Sequence, residues 1–229
     1  MKALLLAEFG TPYYPAVRKE HPDIDLVEAF TNGTILGEIE SAEIVFGYLT
    51  AEQFAAAKNL KWIQTLDAGM EGLFNALPNI VDTEVEVTNA RGAGASMIGE
   101  HGVALMLALA RQLPRFWADK SAHRWDQDGA LEVVEYLGNK TCGIVGFGKS
   151  GREIGWRAKA FGMNVIAVDE QPADGDPIVE EVWGRSRLDD LLEQSDYVVV
   201  TAPYTPRNEN MIGEAELALM KRTARLVVT

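Results

Sequence analysis

The clearest chemistry in the sequence lies in six residues, Gly146-Phe147-Gly148-Lys149-Ser150-Gly151. Glycines in this pattern, between a strand and a helix, form a cradle for a dinucleotide pyrophosphate. Gly146 allows the tight turn, and Gly148 has no Cβ to keep backbone away from the phosphates. Gly151 lets the helix lie close to the sheet. Gly155, one turn later, extends that close approach. The N–H groups of the first turn, those of Lys149 and Ser150 among them, then face the phosphate charge together with the positive end of the helix dipole. Asp169 follows Gly151 by eighteen residues, close to the spacing of about 20 at which a carboxylate receives the adenosine ribose hydroxyls. An anion there repels a 2′-phosphate. Glu170 follows it, with no Arg or Lys beside it, so the pattern favours NAD over NADP.

Elements of matching type surround the cradle. Thr141–Val145 reads as a strand, Lys149–Phe161 as a helix closed by Gly162, and Val165–Val168 as a second strand. Leu188–Glu193 and Glu214–Met220 read as helices, and Tyr197–Val200 and Leu226–Val228 as strands. The result is βαβαβαβ, with strands too apolar to have a solvated face. Upstream, Ala3–Leu6, Glu43–Gly47, Lys61–Thr65 and Glu84–Thr88 read as strands, and Ala51–Lys58 and Gly69–Leu77 as helices. This alternation is that of a second parallel α/β sheet. Between the halves, Asn89–Ala95 is loop-like. Ser96–Leu113 reads as a long helix, capped by Ser96 and stopped by Pro114. From Val103 to Ala110 it is apolar on every face, which requires a cover. Burial between two domains of one chain and a subunit interface both satisfy that requirement.

The 229 residues carry 21 Lys and Arg against 34 Asp and Glu, a formal charge of −13. This acidic balance argues against nucleic acid and an anionic membrane as partners, because a backbone of phosphates needs a basic face. One cysteine, Cys142, excludes an internal disulfide and any multi-cysteine metal site, and reads as a small buried residue. The N-terminal run Met1-Lys2-Ala3-Leu4-Leu5-Leu6-Ala7-Glu8 is too short for a signal-peptide core. No apolar stretch approaches the ~18 residues of a membrane span. A cytoplasmic location is therefore expected.

Taken together, the stretches Leu137–Gly148, Lys159–Met163, Asp189–Asp196, Ala202-Pro203-Tyr204-Thr205-Pro206 and Leu219-Met220-Lys221 resemble the D-isomer-specific 2-hydroxyacid dehydrogenases. So do Leu60–Gln64, Ala68-Gly69, Thr88-Asn89, Gly99-Glu100-His101 and Ala108–Arg111 upstream. The resemblance spans nearly the whole chain. It implies two Rossmann-like domains: a flavodoxin-like substrate domain over residues 1–91 and an NAD-binding doubly wound sheet over residues 92–229. Substrate would lie in the cleft between them. It also implies an NAD-dependent hydride transfer between nicotinamide and a small 2-hydroxy or 2-keto acid. A homodimer is expected from the all-round apolar helix Val103–Ala110. The loop Asp67-Ala68-Gly69-Met70 would offer backbone N–H groups to the substrate carboxylate, as a backbone nest binds an anion. Asp67 departs from the family, which favours small or neutral residues there, so its side chain is expected to point away. Tyr48 is a candidate for the substrate pocket or a plain surface turn. Ala202, Pro203, Thr205 and Asn208 match the loop bordering the cofactor's adenine and nicotinamide ribose.

The family's chemistry also uses an Arg, a Glu and a His that fall, in relatives, after the strand matching Leu226–Val228. The sequence ends at Thr229. The expectation is therefore a fragment of a longer protein, a sequence cut short or a natural short product, with no catalytic residue inside it, an incomplete second sheet and no turnover by this chain alone. His101 beside Glu100 is not a substitute, because helix neighbours point about 100° apart. His21 and His123 read as surface residues, and Arg91-Gly92 precedes the long helix rather than the last strand. Two other readings remain open at this level: a formate- or phosphite-oxidising relative, and a non-catalytic NAD(H)-sensing dimer module.

Overall fold

Two parallel sheets organise the protein. The computed structural model describes residues 1–6, 13–205 and 207–229. Ala7 and Glu8 of the N-terminal run and Pro206 therefore lie outside the described residues. The chain divides into two compact units, Met1–Ala93 and Gly94–Thr229.

The first unit holds β1 (Lys2–Leu5), α1 (Tyr13–Glu20), β2 (Asp25–Glu28), α2 (Asn32–Glu38), β3 (Ile44–Phe46), α3 (Ala51–Ala56), β4 (Trp62–Gln64), α4 (Glu71–Ala76) and β5 (Glu86–Thr88). The strand order is β2-β1-β3-β4-β5, parallel throughout. This is the flavodoxin-like doubly wound order, in which ligands are received beyond the carboxyl ends of the strands. Leu4, Val45 and Ile63 from three adjacent strands form the core with Ile35, Ile39, Leu73 and Ile80. Capping boxes start two helices: Thr31 with Thr34 at α2, and Thr50 with Gln53 at α3. The sequence expectation omitted α1, β2 and α2. β2 reads Asp-Leu-Val-Glu, an edge strand half open to solvent, so it lacks the apolar run by which a buried strand is recognised.

The second unit starts with α5 (Ala95–Ala110), α6 (Leu113–Ser121) and α7 (Gln127–Val133). It continues through β6 (Thr141–Val145), α8 (Lys149–Ala160), β7 (Asn164–Asp169), β8 (Ala173–Asp174), β9 (Glu181–Gly184), α9 (Leu188–Gln194), β10 (Tyr197–Val200), α10 (Glu214–Leu219) and β11 (Arg225–Val228). Its order is β11-β10-β6-β7-β9-β8, with only β8 antiparallel. Without β8, the sheet has the dinucleotide-binding order of five strands, reversing direction between β6 and β10. Alternate residues serve opposite faces. Cys142 and Ile144 pack with Met106, Ala110, Ile154 and Ala158 on one side, while Val145 packs with Val168, Leu191, Leu192 and Val198 on the other. Gly143 lets α9 close on the sheet, since a Cβ there would lie 2.1 Å from Ser195 Oγ.

Three expectations require correction here. Ser96 does not cap the long helix: Gly94 occupies the cap position, and Ser96 Oγ accepts a hydrogen bond from Arg157 Nη2 at 2.8 Å. Pro114 does not stop that helix but opens the next. Gln112, in the left-handed conformation at φ +54°, makes the break, and Pro114 sits in the first turn of α6, where its missing N–H is harmless. The strands are not all closed to solvent, because Leu226 and Val228 of the edge strand β11 are exposed while Val227 is buried. The four-strand reading also omitted β8 and β9. β9 carries only Val182 fully inside.

Candidate active site

The glycine loop is fixed by contacts that leave no room for side chains. At the end of β6 the chain turns at Gly146, with φ +91°, a conformation that favours glycine. A Cβ there would lie 2.6 Å from the Ala202 backbone nitrogen. The loop following β10 is thus set directly against the turn. Thr201 donates from Oγ1 to the Gly146 carbonyl at 2.5 Å, and Ala202 donates its N–H to the Val145 carbonyl at 3.1 Å. At Gly151 a Cβ would stand 2.2 Å from the Gly146 carbonyl oxygen, and at Gly155 it would stand 2.9 Å from Ile178. Helix and turn therefore pack at a distance only glycine permits. Gly148 caps α8 with no side-chain hydrogen bond. With Lys149 and Ser150 it begins a helix whose first N–H groups have no carbonyl four residues earlier to bond. Free N–H groups of this kind are suited to phosphate oxygens.

Phe147 plays a different part from its neighbours in the motif. Its ring is buried in the core, 3% exposed, so only its backbone remains at the loop. That N–H donates to Asp169 Oδ2 at 2.7 Å, while Asp169 Oδ1 accepts from the Gln171 N–H at 3.0 Å. Asp169 ends β7 and is half-buried. Its carboxylate thereby ties the glycine turn to the end of the neighbouring strand. Each oxygen retains a lone pair for a hydroxyl donor. No ion pair among the described residues involves Asp169. The sequence pattern anticipated its place but not this tie, which depends on a side chain reaching across two strands. Beyond Ala202, the loop closes on itself: Asn208 Nδ2 donates to the Pro203 carbonyl at 3.0 Å, and the Asn208 N–H to the Thr205 carbonyl at 2.9 Å. Asn208 is thus bonded to its own loop.

The first unit presents a second loop at the carboxyl end of β4. Thr65, 1% exposed, donates its N–H to the Thr88 carbonyl at 2.8 Å. The Asp67 carbonyl accepts from the Ala90 N–H at 3.0 Å, and the Ala68 carbonyl from Asn89 Nδ2 at 2.7 Å. Two carbonyls of the loop are thus strapped to the segment after β5. The N–H groups of Ala68, Gly69 and Met70 have no acceptor among the described residues. Tyr48 follows Gly47 at the end of β3, and Gly47 takes φ +134° with Leu6 packed where its Cβ would be. The Tyr48 hydroxyl donates to Asp67 Oδ2 at 2.5 Å and accepts the Asp67 N–H at 3.0 Å. Partial burial, with the Asp67 carboxylate behind it, raises the Tyr48 phenol above its ordinary pKa. Tyr48 is 38% exposed. It is neither a buried pocket wall nor an idle surface residue, because it holds the loop. This role was invisible in the sequence, since it depends on β3 and β4 being adjacent.

The histidines are not brought to either loop by any described contact. His101 is exposed on α5, and its neighbour Glu100 pairs with Arg157 at 3.6 Å. Among the described residues no group of three or more His, Cys, Asp or Glu is arranged to hold a metal ion.

Comparison with known proteins places this geometry. Residues 103–229 match the family described as D-isomer specific 2-hydroxyacid dehydrogenase, NAD binding domain. The chain is 34% identical over 181 residues to the hydroxypyruvate reductase of Thermotoga maritima, covering 79% of this chain and 56% of that protein. It is 29% identical over 219 residues to the D-3-phosphoglycerate dehydrogenase of Methanocaldococcus jannaschii, covering 92% of this chain and 40% of that protein. The structure superposes with a TM-score of 0.76 on the D-lactate dehydrogenase of Aquifex aeolicus complexed with NAD and lactic acid. The identity there is 25%, and the match covers all of this chain and 68% of that one. The chain spans about half the length of the curated relatives it matches. The match over more than half of its residues, on a sheet of dinucleotide-binding order with its glycine turn and acidic partner in place, shows that the chain belongs to the D-isomer specific 2-hydroxyacid dehydrogenase family.

Proposed function

We propose that the chain provides the cofactor cradle and the substrate-carboxylate loop of an NAD-dependent oxidoreductase acting between a small 2-hydroxy acid and its 2-keto acid. The observation that carries this reading is the turn at Gly146, closed by Gly151 and tied to Asp169 through the Phe147 N–H. In this reading the N–H groups of Gly148, Lys149, Ser150 and Gly151 receive the pyrophosphate, and Asp169 the adenosine ribose. Ala202, Pro203, Thr205 and Asn208 border the rest of the cofactor. When bound, the nicotinamide supplies the hydride acceptor or donor. The N–H groups of Ala68, Gly69 and Met70 hold the substrate carboxylate, with Tyr48 fixing the loop they belong to. Residues 1–91 then serve as the substrate domain and residues 92–229 as the NAD-binding domain.

A homodimer fits the surface of the second unit. Trp117 is 72% exposed and Trp125 90%, and Leu113, Leu131 and Tyr136 beside them in sequence are exposed as well. Exposed large apolar side chains of this kind support a subunit interface on this unit. No helix among the described residues is long and apolar enough to cross a membrane. We place the protein in the cytoplasm, where its single thiol, Cys142, stays reduced. The test of function is NADH oxidation by the whole protein with hydroxypyruvate and glyoxylate. Turnover of either is the expected result. Tight NADH binding with no turnover of any 2-keto acid would overturn the proposed reaction while leaving the cofactor site intact.

A further inference from the structure

The loop Asp67–Met70 is flanked by two carboxylates, those of Asp67 and Glu71. The unbonded N–H groups of Ala68, Gly69 and Met70 are the groups available to a ligand carboxylate. On one side of them stands Asp67, its carboxylate held by the Tyr48 hydroxyl at 2.5 Å and so unable to swing freely into solvent. On the other stands Glu71, whose Oε2 lies 2.2 Å from where a Cβ on Gly69 would be, so its carboxylate covers that residue. The strapped segment after β5 adds one cation, Arg91, which is exposed and forms no ion pair among the described residues. The other cations of this unit with an ion pair are already engaged: Lys2 with Glu38, Arg18 with Glu28, Lys58 with Glu40 and Lys61 with Glu43.

We propose that Asp67, fixed by Tyr48, is a specificity-determining residue that restricts the substrate to 2-keto and 2-hydroxy acids bearing a single negative charge and rejects their phosphate esters. This rests on the reading of Ala68–Met70 as the carboxylate-binding loop. One carboxylate on three N–H donors is balanced by local backbone dipoles. A phosphate on the same small molecule adds about two further negative charges, and neither Asp67 nor Glu71 offers it a partner. Over a separation of roughly 8 Å, the span of a three-carbon acid, at an effective dielectric between that of a protein surface and water, one fixed carboxylate opposes these charges by a factor of ~5–30 in affinity. Charges of like sign set against the wrong ligand are an established route to specificity.

The test compares hydroxypyruvate with its 3-phosphate ester, which differ only in the phosphate, binding to the protein saturated with NAD+ so that no hydride can transfer. Wild type is expected to bind hydroxypyruvate more tightly. In Asp67→Asn, which keeps the size of the side chain and its bond with Tyr48, the preference should shrink ~5–30-fold. Glu28→Gln, which removes one charge on β2, should leave it unchanged. Tighter binding of the phosphate ester by wild type, or an equal preference in wild type and Asp67→Asn, would overturn the inference alone. Binding of neither acid would overturn the reading of the carboxylate loop beneath it.

Discussion

The glycine turn after β6 in the second unit and the loop after β4 in the first are built by opposite means. At the glycine turn after β6 the backbone does the work, and three positions are set by the absence of a side chain: Gly146, Gly151 and Gly155. At the loop after β4 the backbone is ordinary and side chains do the work. Tyr48 and Asn89 reach in from the ends of neighbouring strands to pin Asp67 and Ala68. A turn made by sterics tolerates no substitution at its glycines. A loop made by side-chain straps can be retuned one residue at a time.

The sharpest way to break this contrast is Gly151→Ala. The new methyl group would meet the Gly146 carbonyl at 2.2 Å, so α8 or the turn must move. NADH affinity is expected to fall by more than tenfold, and unfolding free energy by ~1–3 kcal/mol, the usual range for overpacking. Titration by fluorescence and urea denaturation read the two effects. Retained affinity would mean that the close approach is not needed for the cradle.

Tyr48→Phe should act in the opposite way. It removes one hydroxyl from a residue 38% exposed, so stability should change by no more than ~1 kcal/mol, the scale of one hydrogen bond. NADH affinity should not move. Keto-acid affinity should weaken several-fold, because both the Asp67 carboxylate and its N–H are released. An NADH defect in this variant would show that the loops are not separable.

A smaller effect concerns the start of β6. Asp196 is partly desolvated, which by itself raises its pKa. Bonds from the Thr141 N–H at 2.9 Å and Lys221 at 3.0 Å outweigh that and leave the net pKa lowered. A carboxylate depressed in the folded state adds stability above its unfolded value of about 3.9, and this is lost as pH falls through the folded value. Asp196→Asn should therefore reduce stability near neutrality and flatten its decline below about pH 4. A decline identical in both proteins would remove Asp196 from acid unfolding.

The sequence disclosed the two parts of the fold unequally for the same reason. β6 and β10 match their expected limits because each is a short apolar run buried on both faces. β2 and β9 escaped notice because an edge strand needs no such run. The glycine loop and Asp169 were legible because their spacing along the chain is the mechanism. Tyr48 was placed only as a candidate, because its partner Asp67 lies nineteen positions away and meets it through sheet order alone. Sterics write local patterns, whereas straps between strands leave none.

The most direct measurement is the equilibrium binding of NADH and NADPH to wild type and to Asp169→Ala. Wild type is expected to prefer NADH, since the Asp169 carboxylate accepts ribose hydroxyls and repels a 2′-phosphate. The substitution should weaken NADH by about 1–3 kcal/mol and leave NADPH nearly unchanged or improved. Tighter binding of NADPH by wild type, or an equal loss of both cofactors on substitution, would contradict the assignment of the glycine turn and Asp169 as an NAD cradle.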